Sequence, residues 1–403
     1  MALIRPFRAV RPAPAAAPRV AAVPYDVVDA GEARALAAGN PLSFLHVSRA
    51  EIDLPAGVDA HDDLVYRTAA DRYRALKREA PFVQEREPSF YLYHLAEGGH
   101  GQTGVAACYS LDEYDHDAIK KHERTRRDKE DDRTRHIVEL RAQTGPVFLT
   151  HRPNAQIDAL STRVRSATDP LVDFQALDGV RHAIWRVEAQ DEAALAQAFA
   201  SVTSLYIADG HHRAASAARA RESFRESEEA RFFLAVAFPS DQVRILPYNR
   251  VVRDLTGMTP EQFLGEVARH FAITVGPASP DEKGKVSMYV AGKWHTIDLE
   301  SDGLLGISVI NALDCNVLQE RLLRPLLGIR DVRTDTRIDF VGGARGTRAL
   351  EQMVESGKAA VAFSMHPVSV VELMDVSDAG AIMPPKSTWF EPKLRDGLLI
   401  HEI

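Results

Sequence analysis

The run Val202-Thr203-Ser204-Leu205-Tyr206-Ile207-Ala208 is apolar and β-prone. It stops at Asp209-Gly210-His211-His212-Arg213 and continues as Ala214-Ala215-Ser216-Ala217-Ala218-Arg219. Branched and aromatic residues favour a strand, alanines favour a helix, and the glycine between them permits a sharp turn. Such a corner gathers the unpaired N–H groups and the positive dipole end of the helix at one point. Here the corner also carries a carboxylate, two imidazoles and a guanidinium. Asp209 is placed to cap the helix. The histidines and arginine are not capping residues, and as cations in a first turn they would oppose the dipole. A bound oxyanion above them removes that conflict, and a phosphoryl group is the first ligand to expect. Adjacent histidines project about 100° apart on a helix, so they are poor joint ligands for one zinc ion.

Composition narrows the class around that corner. The 403 residues are 45% hydrophobic and 26% charged, enough for a well-buried core and two or three domains or subdomains. Lys and Arg number 49 against 57 Asp and Glu, a net charge of −8. That balance supplies no general drive toward nucleic acid or acidic membranes. The two cysteines, Cys108 and Cys315, form no CxxC pair; a disulfide framework is not expected, and a reducing cytoplasm fits. The opening residues are Ala-, Pro- and Arg-rich without a continuous apolar stretch, so no signal peptide is expected. No apolar run reaches 18 residues, so no membrane span is expected.

Along the chain, Pro12, Pro14 and Pro18 predict an extended entry segment. Helices are predicted near Gly31–Gly39, Asp62–Glu79, Asp191–Ala200, Pro260–His270 and Ser308–Leu323. Strands are predicted at Phe44–Val47, Ser89–Leu95, Thr103–Leu111, Pro146–Thr150, Ala183–Val187 and Arg231–Phe238. The charged stretch Lys120–Arg141 reads as a solvated helix with ion pairs. Beyond Thr259, strands at Ala272–Val275, Lys285–Val290 and Lys293–Asp298 are predicted, the last two joined by Ala291-Gly292. Ile338–Val341, a helix from Gly346 and Ala359–Ser364 form a βαβ-like unit. The pattern changes near residue 255, dividing an N-terminal region 1–255 from a C-terminal α/β region 256–403. The fold class is α/β, mixed α+β.

Four further segments hold reactive groups. His122-Glu123, Thr125, Lys129, Asp132 and Arg133 offer cations for phosphate and carboxylates for Mg²⁺ or proton abstraction. Pro384-Pro385-Lys386-Ser387-Thr388 offers a lysine and two hydroxyls on a loop. Pro24-Tyr25-Asp26-Val27 is turn chemistry whose Asp26 can face a pocket. Gly342-Gly343-Ala344-Arg345-Gly346 lacks the GxxxxGK[ST] pattern of a phosphate loop and reads as a tight turn.

Taken in order, Pro24-Tyr25-Asp26-Val27, Asn40-Pro41, the His122 to Arg133 block, Ala208-Asp209-Gly210-His211-His212-Arg213 and Lys386-Ser387-Thr388 resemble the family catalogued as domain of unknown function 1015. The central hexad is the most specific of these motifs. Members are similar to the ParB/sulfiredoxin-like folds, in which a glycine–His–Arg corner opens a phosphate-cradling helix. The resemblance implies a phosphate-binding core of that kind with mixed sheets. It also implies activity like that of pyrophosphate-dependent L-serine kinases. This chain has Ala214-Ala215-Ser216 where an aromatic often follows the arginine in the family.

On that reading the chain is a cytoplasmic small-molecule kinase. Phosphoryl transfer depends mainly on positioning and charge neutralisation. Gly210, His211, His212, Arg213, Lys129, Arg133, Lys386, Ser387 and Thr388 are the expected phosphate-holding residues. Asp209 and Glu123 share the roles of base and Mg²⁺ ligand, with Asp209 the leading metal candidate. Tyr25, Asp26, His122 and Thr125 are the expected substrate contacts. No adenine-binding signature is visible, which favours a compact donor such as pyrophosphate. The partners are then a small-molecule acceptor and a phosphoryl donor, with the oligomeric state open, a homo-oligomer included. A ParB-like nucleotide- or DNA-associated regulatory module is the alternative, and a zinc hydrolase using the paired histidines is a third reading.

Overall fold

The computed structural model describes residues 3–79, 81–299 and 308–403. The chain has a mixed α/β fold and forms two compact units, Met1–Val243 with Pro392–Ile403, and Arg244–Glu391. The boundary thus follows Val243 rather than residue 255. The last residues of the chain rejoin the first unit through pairings that no local pattern announces.

The first unit is built on a nine-stranded mixed sheet. Its strands are β1 (Ile4–Arg5), β2 (Tyr91–Glu97), β3 (His100–Ser110), β4 (Ile119–Lys120), β5 (Val147–His151), β6 (Val172–Gln175), β7 (Arg181–Arg186), β8 (Leu205–Asp209) and β9 (Phe232–Pro239). They run in the order β4-β8-β5-β9-β3-β2-β7-β6, with β1 also on β3. The β8–β4 and β9–β5 pairs are parallel, and the other pairs are antiparallel.

Its main helices are α1 (Ala30–Ala37), α2 (Leu45–Ser48), α3 (Asp63–Glu79), α4 (Arg127–Leu140), α5 (Ala155–Ala167), α6 (Ala189–Ala200) and α7 (His211–Ala220). The core packs Leu92, Tyr109, Leu149, Phe199, Ile207 and Phe233 with the alanine face of α7, Ala214 and Ala217. Small side chains let that helix lie close against the sheet, which explains the alanine-rich sequence after the corner.

Three local expectations are corrected. Phe44–Val47 is not a strand: a four-residue apolar run fits either period, and it coils as α2 with Phe44 edge-on to Tyr73 at 6.4 Å. The charged block does not form one helix from Lys120. It ends β4, passes through an irregular segment at residues 121–126, and becomes helical only at Arg127. The entry segment contains a single helical turn at Ala17–Val20, with Pro18 tolerated in the first turn.

The second unit carries an antiparallel six-stranded sheet ordered β11-β13-β12-β15-β10-β14. The strands are β10 (Tyr248–Val252), β11 (Ala272–Val275), β12 (Lys285–Val290), β13 (Lys293–Asp298), β14 (Ile338–Gly342) and β15 (Val361–Met365). β14 and β15 flank β10, each antiparallel to it, so the expected βαβ unit is split by a strand. Ala291 and Gly292 both have positive φ, 51° and 76°, the geometry of a tight hairpin turn. The helix expected from Ser308 starts at Asp314 and runs, through a π segment at Gln319–Leu323, to Leu327.

Candidate functional site

The corner is shaped by a bulge. β8 pairs Ile207 with Leu149 and Asp209 with Phe148, so Ala208 is an extra residue in that ladder. A bulge redirects the side chains that follow it, and Asp209 is the residue it redirects. Gly210 then takes φ 92° and ψ 31°, a left-handed conformation, and no side chain caps α7. The expected Asp209 cap is therefore absent. A Cβ on Gly210 would lie 2.9 Å from Cζ and Nε of Arg213. The room this glycine leaves is filled by the guanidinium of Arg213, which folds back over the start of its own helix.

Arg213 is held there by the carbonyl of Pro146 and by Asp209 Oδ2 at 3.3 Å. Lys393, from the returning tail, approaches the same oxygen at 3.4 Å. Burial alone would push the Asp209 carboxyl up, but Lys393 and Arg213 override it and hold the group well below the usual carboxylate range. An ionised carboxylate, two cations and an uncapped helix N-terminus thus share one point.

The histidines play a different part from the one their charge suggests. His211 and His122 are buried, with rings edge-to-face at 4.4 Å between centroids. Burial holds the His122 imidazole down to about 4, against the pull of Asp209. Burial and the neighbouring His122 hold His211 well below its ordinary value. His212 is lowered too, mainly by burial. All three are neutral at pH 7, so the conflict between imidazolium and helix dipole does not arise. His211 Nε2 accepts from the backbone N–H of His122 at 3.4 Å, and His212 Nε2 accepts from that of Arg126 at 3.1 Å. The two imidazoles pin both ends of the segment 122–126 beside the helix start, and Glu123 and Thr125 lie between the pins.

Below Arg213 is a cavity of about 40 Å³, lined by Tyr25, Arg133, His136, Thr144, Gly145, Arg213 and Asp396 among others. Tyr25 is buried, and burial raises its phenol. The guanidinium of Arg133 lies 4.2 Å from the centre of its ring. Arg133 Nε donates to Asp132 Oδ2 at 2.8 Å and Nη1 to the carbonyl of Ser48 at 3.2 Å. Asp26 is exposed, and its charge reaches Arg213, His212 and Asp396.

Other expected residues have these places. Thr125 donates its hydroxyl to Glu130 Oε1. Lys129 is half-buried in the first turn of α4 beside Asp128. Asp128 and Asp132, like charges one turn apart, are each matched to an arginine, Arg126 at 2.8 Å and Arg133 at 2.8 Å. In the second unit, Lys386 is exposed with its ammonium 5.4 Å from the Tyr248 ring centre. Thr388 is half-buried. Ser387 is buried and donates its hydroxyl to the Pro384 carbonyl at 2.6 Å, with Cys315 Sγ at 3.3 Å. Its one O–H is therefore committed within the chain and is not a phosphate donor in this structure. Gly343 is packed so that a Cβ would meet the Pro247 carbonyl at 2.7 Å, consistent with a tight turn. No local sequence signal marks Lys393 or Asp396 as site residues. Lys393 reaches Asp209 from 184 residues away, and backbone pairings of Asp396 with Ala22 and of Gly397 with Thr144 position the segment.

Among the described residues, no group of three or more His, Cys, Asp or Glu is arranged to hold a metal ion. Lys393 and Arg213 favour the ionised form of Asp209, which offers a carboxylate oxygen, and Mg²⁺ needs only one or two carboxylates when phosphate oxygens and water complete its shell. The residues fit Mg²⁺ only as an ion arriving with a phosphorylated ligand. Both cysteines are buried free thiols, and no described helix is long and apolar enough to cross a membrane.

The sequence matches a family described as a protein of unknown function, DUF1015, over residues 4–316. Among solved structures, a free serine kinase mutant in complex with ADP is similar at 14% identity and TM-score 0.37, over 73% of this chain and 92% of that one. SbnI with a C-terminal truncation, from Staphylococcus aureus, is similar at 13% identity and TM-score 0.41, over 73% and 87%. A conserved hypothetical protein from Pyrococcus furiosus is similar at 14% identity and TM-score 0.37, over 74% and 95%. No curated protein matches the chain.

Proposed function

The chain belongs to the DUF1015 family, and from that premise we propose that it is a small-molecule kinase of the cytoplasm that phosphorylates the hydroxyl of free L-serine. The observation that carries this reading is the uncapped start of α7, where Arg213 and Lys393 converge on an ionised Asp209. A donor phosphate there would accept from the N-terminal amides of α7 and face both cations, a preorganised charge-stabilising arrangement. Mg²⁺, when bound, would neutralise donor oxygens. The donor this corner suits is compact, with pyrophosphate the first choice, because the recognition groups are all phosphate-directed.

The depressed carboxyl of Asp209 makes it a weak proton acceptor. It therefore serves as the charge anchor of the corner, and the proton of the serine hydroxyl goes to Glu123. That residue stands on the segment pinned by His211 and His212, which makes the histidines positioning residues. The test is phosphate transfer to L-serine with pyrophosphate, ADP and ATP compared side by side with Mg²⁺ present. Phosphoserine from at least one donor is expected; none from any donor, with folded protein, rejects the reading.

A further inference from the structure

Asp396 is 3% exposed, and its Oδ1 has no hydrogen-bond partner. A buried carboxylate oxygen in that state is costly unless something pairs with it. Its backbone is held on both sides. The N–H and carbonyl of Asp396 both pair with Ala22, at 2.9 and 3.2 Å, and the next residue, Gly397, donates to the Thr144 carbonyl at 2.9 Å. On its other side a Cβ on Gly145 would fall 2.2 Å from Oδ1, so the glycine is what makes space for the carboxylate.

The surrounding charges show what is missing. Arg133 is paired with Asp132, Arg395 with Asp178, and Asp209 with both Arg213 and Lys393. Asp396 makes no ion pair among the described residues, and the exposed Asp26 adds a further negative charge beside it. An ammonium would supply the charge partner that Asp396 lacks. The cavity is small: at about 40 Å³ it has room for roughly three waters, which suits an amino-acid head group.

We propose that this cavity receives the head group of an α-amino acid, with the ammonium against Asp396 and the carboxylate against Arg133. Arg133 has Nη2 left over for that contact, since Nε and Nη1 are bound to Asp132 and Ser48. Burial pushes the Asp396 carboxyl up to about 7 although Arg213 and other arginines oppose it, so an arriving ammonium would draw it into the ionised form. The assignment rests on the serine-kinase reading for the identity of the amino acid, and it adds the groups that select a zwitterion over other small alcohols.

Calorimetric titration with L-serine, 3-hydroxypropanoate (no ammonium) and ethanolamine (no carboxylate) tests it without turnover. The intact protein should bind L-serine about 10- to 100-fold more tightly than either analogue. Asp396→Asn should lose the discrimination against 3-hydroxypropanoate while its pyrophosphate affinity is unchanged. Gly145→Ala, which crowds Oδ1, should act in the same direction if Asp396→Asn does not fold. Failure of the intact protein to bind L-serine, equal binding of the three compounds, or full discrimination in Asp396→Asn each overturns the proposal. L-serine binding through Asp396 without any phosphoserine formation would instead reject the kinase reading and leave this one in place.

Discussion

The Nε2 atom of His212 accepts a hydrogen bond from the backbone N–H of Arg126 at 3.1 Å. This contact and its counterpart from His122 to His211 require unprotonated imidazoles, since a protonated ring has no lone pair to offer. The corner is organised by neutral histidines acting as acceptors. Its positive charge comes from Arg213, Lys393 and the helix dipole.

Acid should therefore loosen it. Buried histidines held below their ordinary value take up protons more readily when unfolded, where they titrate near pH 6.5. The stability they contribute is complete above that pH and is lost as pH falls toward about 4, the value to which His122 is held. Urea unfolding between pH 7.5 and 4.5 should show stability falling by up to about 1.4 kcal/mol per pH unit for each such histidine. His122→Asn should flatten that dependence. A profile unchanged by the substitution would contradict the assignment.

Gly210→Ala should destabilise the protein by about 1–2 kcal/mol from the left-handed backbone alone. The new Cβ, 2.9 Å from the Arg213 guanidinium, should also displace that side chain. Denaturation combined with steady-state transfer kinetics checks both effects. A variant of normal stability and activity would show that neither the turn nor the arginine matters.

Asp209→Asn should leave Arg213 and Lys393 without their shared charge partner. Turnover is expected to fall about 10²- to 10³-fold, with a stability loss of about 1–3 kcal/mol. Circular dichroism should first establish that the variant is folded. Near-normal turnover in folded protein would remove Asp209 from the mechanism.

Much of this arrangement was legible in the sequence, for identifiable reasons. The strand–glycine–alanine pattern from Val202 to Ala220 is local, and the structure makes it β8 and α7. The Pro260–His270 helix carries its own start signal in Thr259 and Gln262, a capping box that the structure forms. Burial was not legible: His211 and His122 look cationic in a sequence, and only the packing that encloses them makes them neutral. Long-range return was not legible either. Nothing near Lys393 or Asp396 announces a partner at Asp209 or Ala22. The short run at Phe44–Val47 carries no period in four residues, so its sequence fits a strand and a helix equally.

Lys393→Met should weaken pyrophosphate binding by about 10-fold, the scale of one lost charge-assisted contact. It should also reduce the dependence of that binding on salt. L-Serine affinity should change much less, because Lys393 is on the Asp209 side of Arg213. Calorimetry at two ionic strengths measures all three quantities. Equal loss of both ligands would indicate that the tail supports the fold of the site rather than the donor.

The most direct measurement is a crystal structure of the protein soaked with pyrophosphate. A phosphate group is expected with its oxygens within about 3 Å of the backbone amides at the start of α7 and of Arg213 or Lys393. Saturating pyrophosphate that binds elsewhere, or leaves the start of α7 bare, would contradict the account.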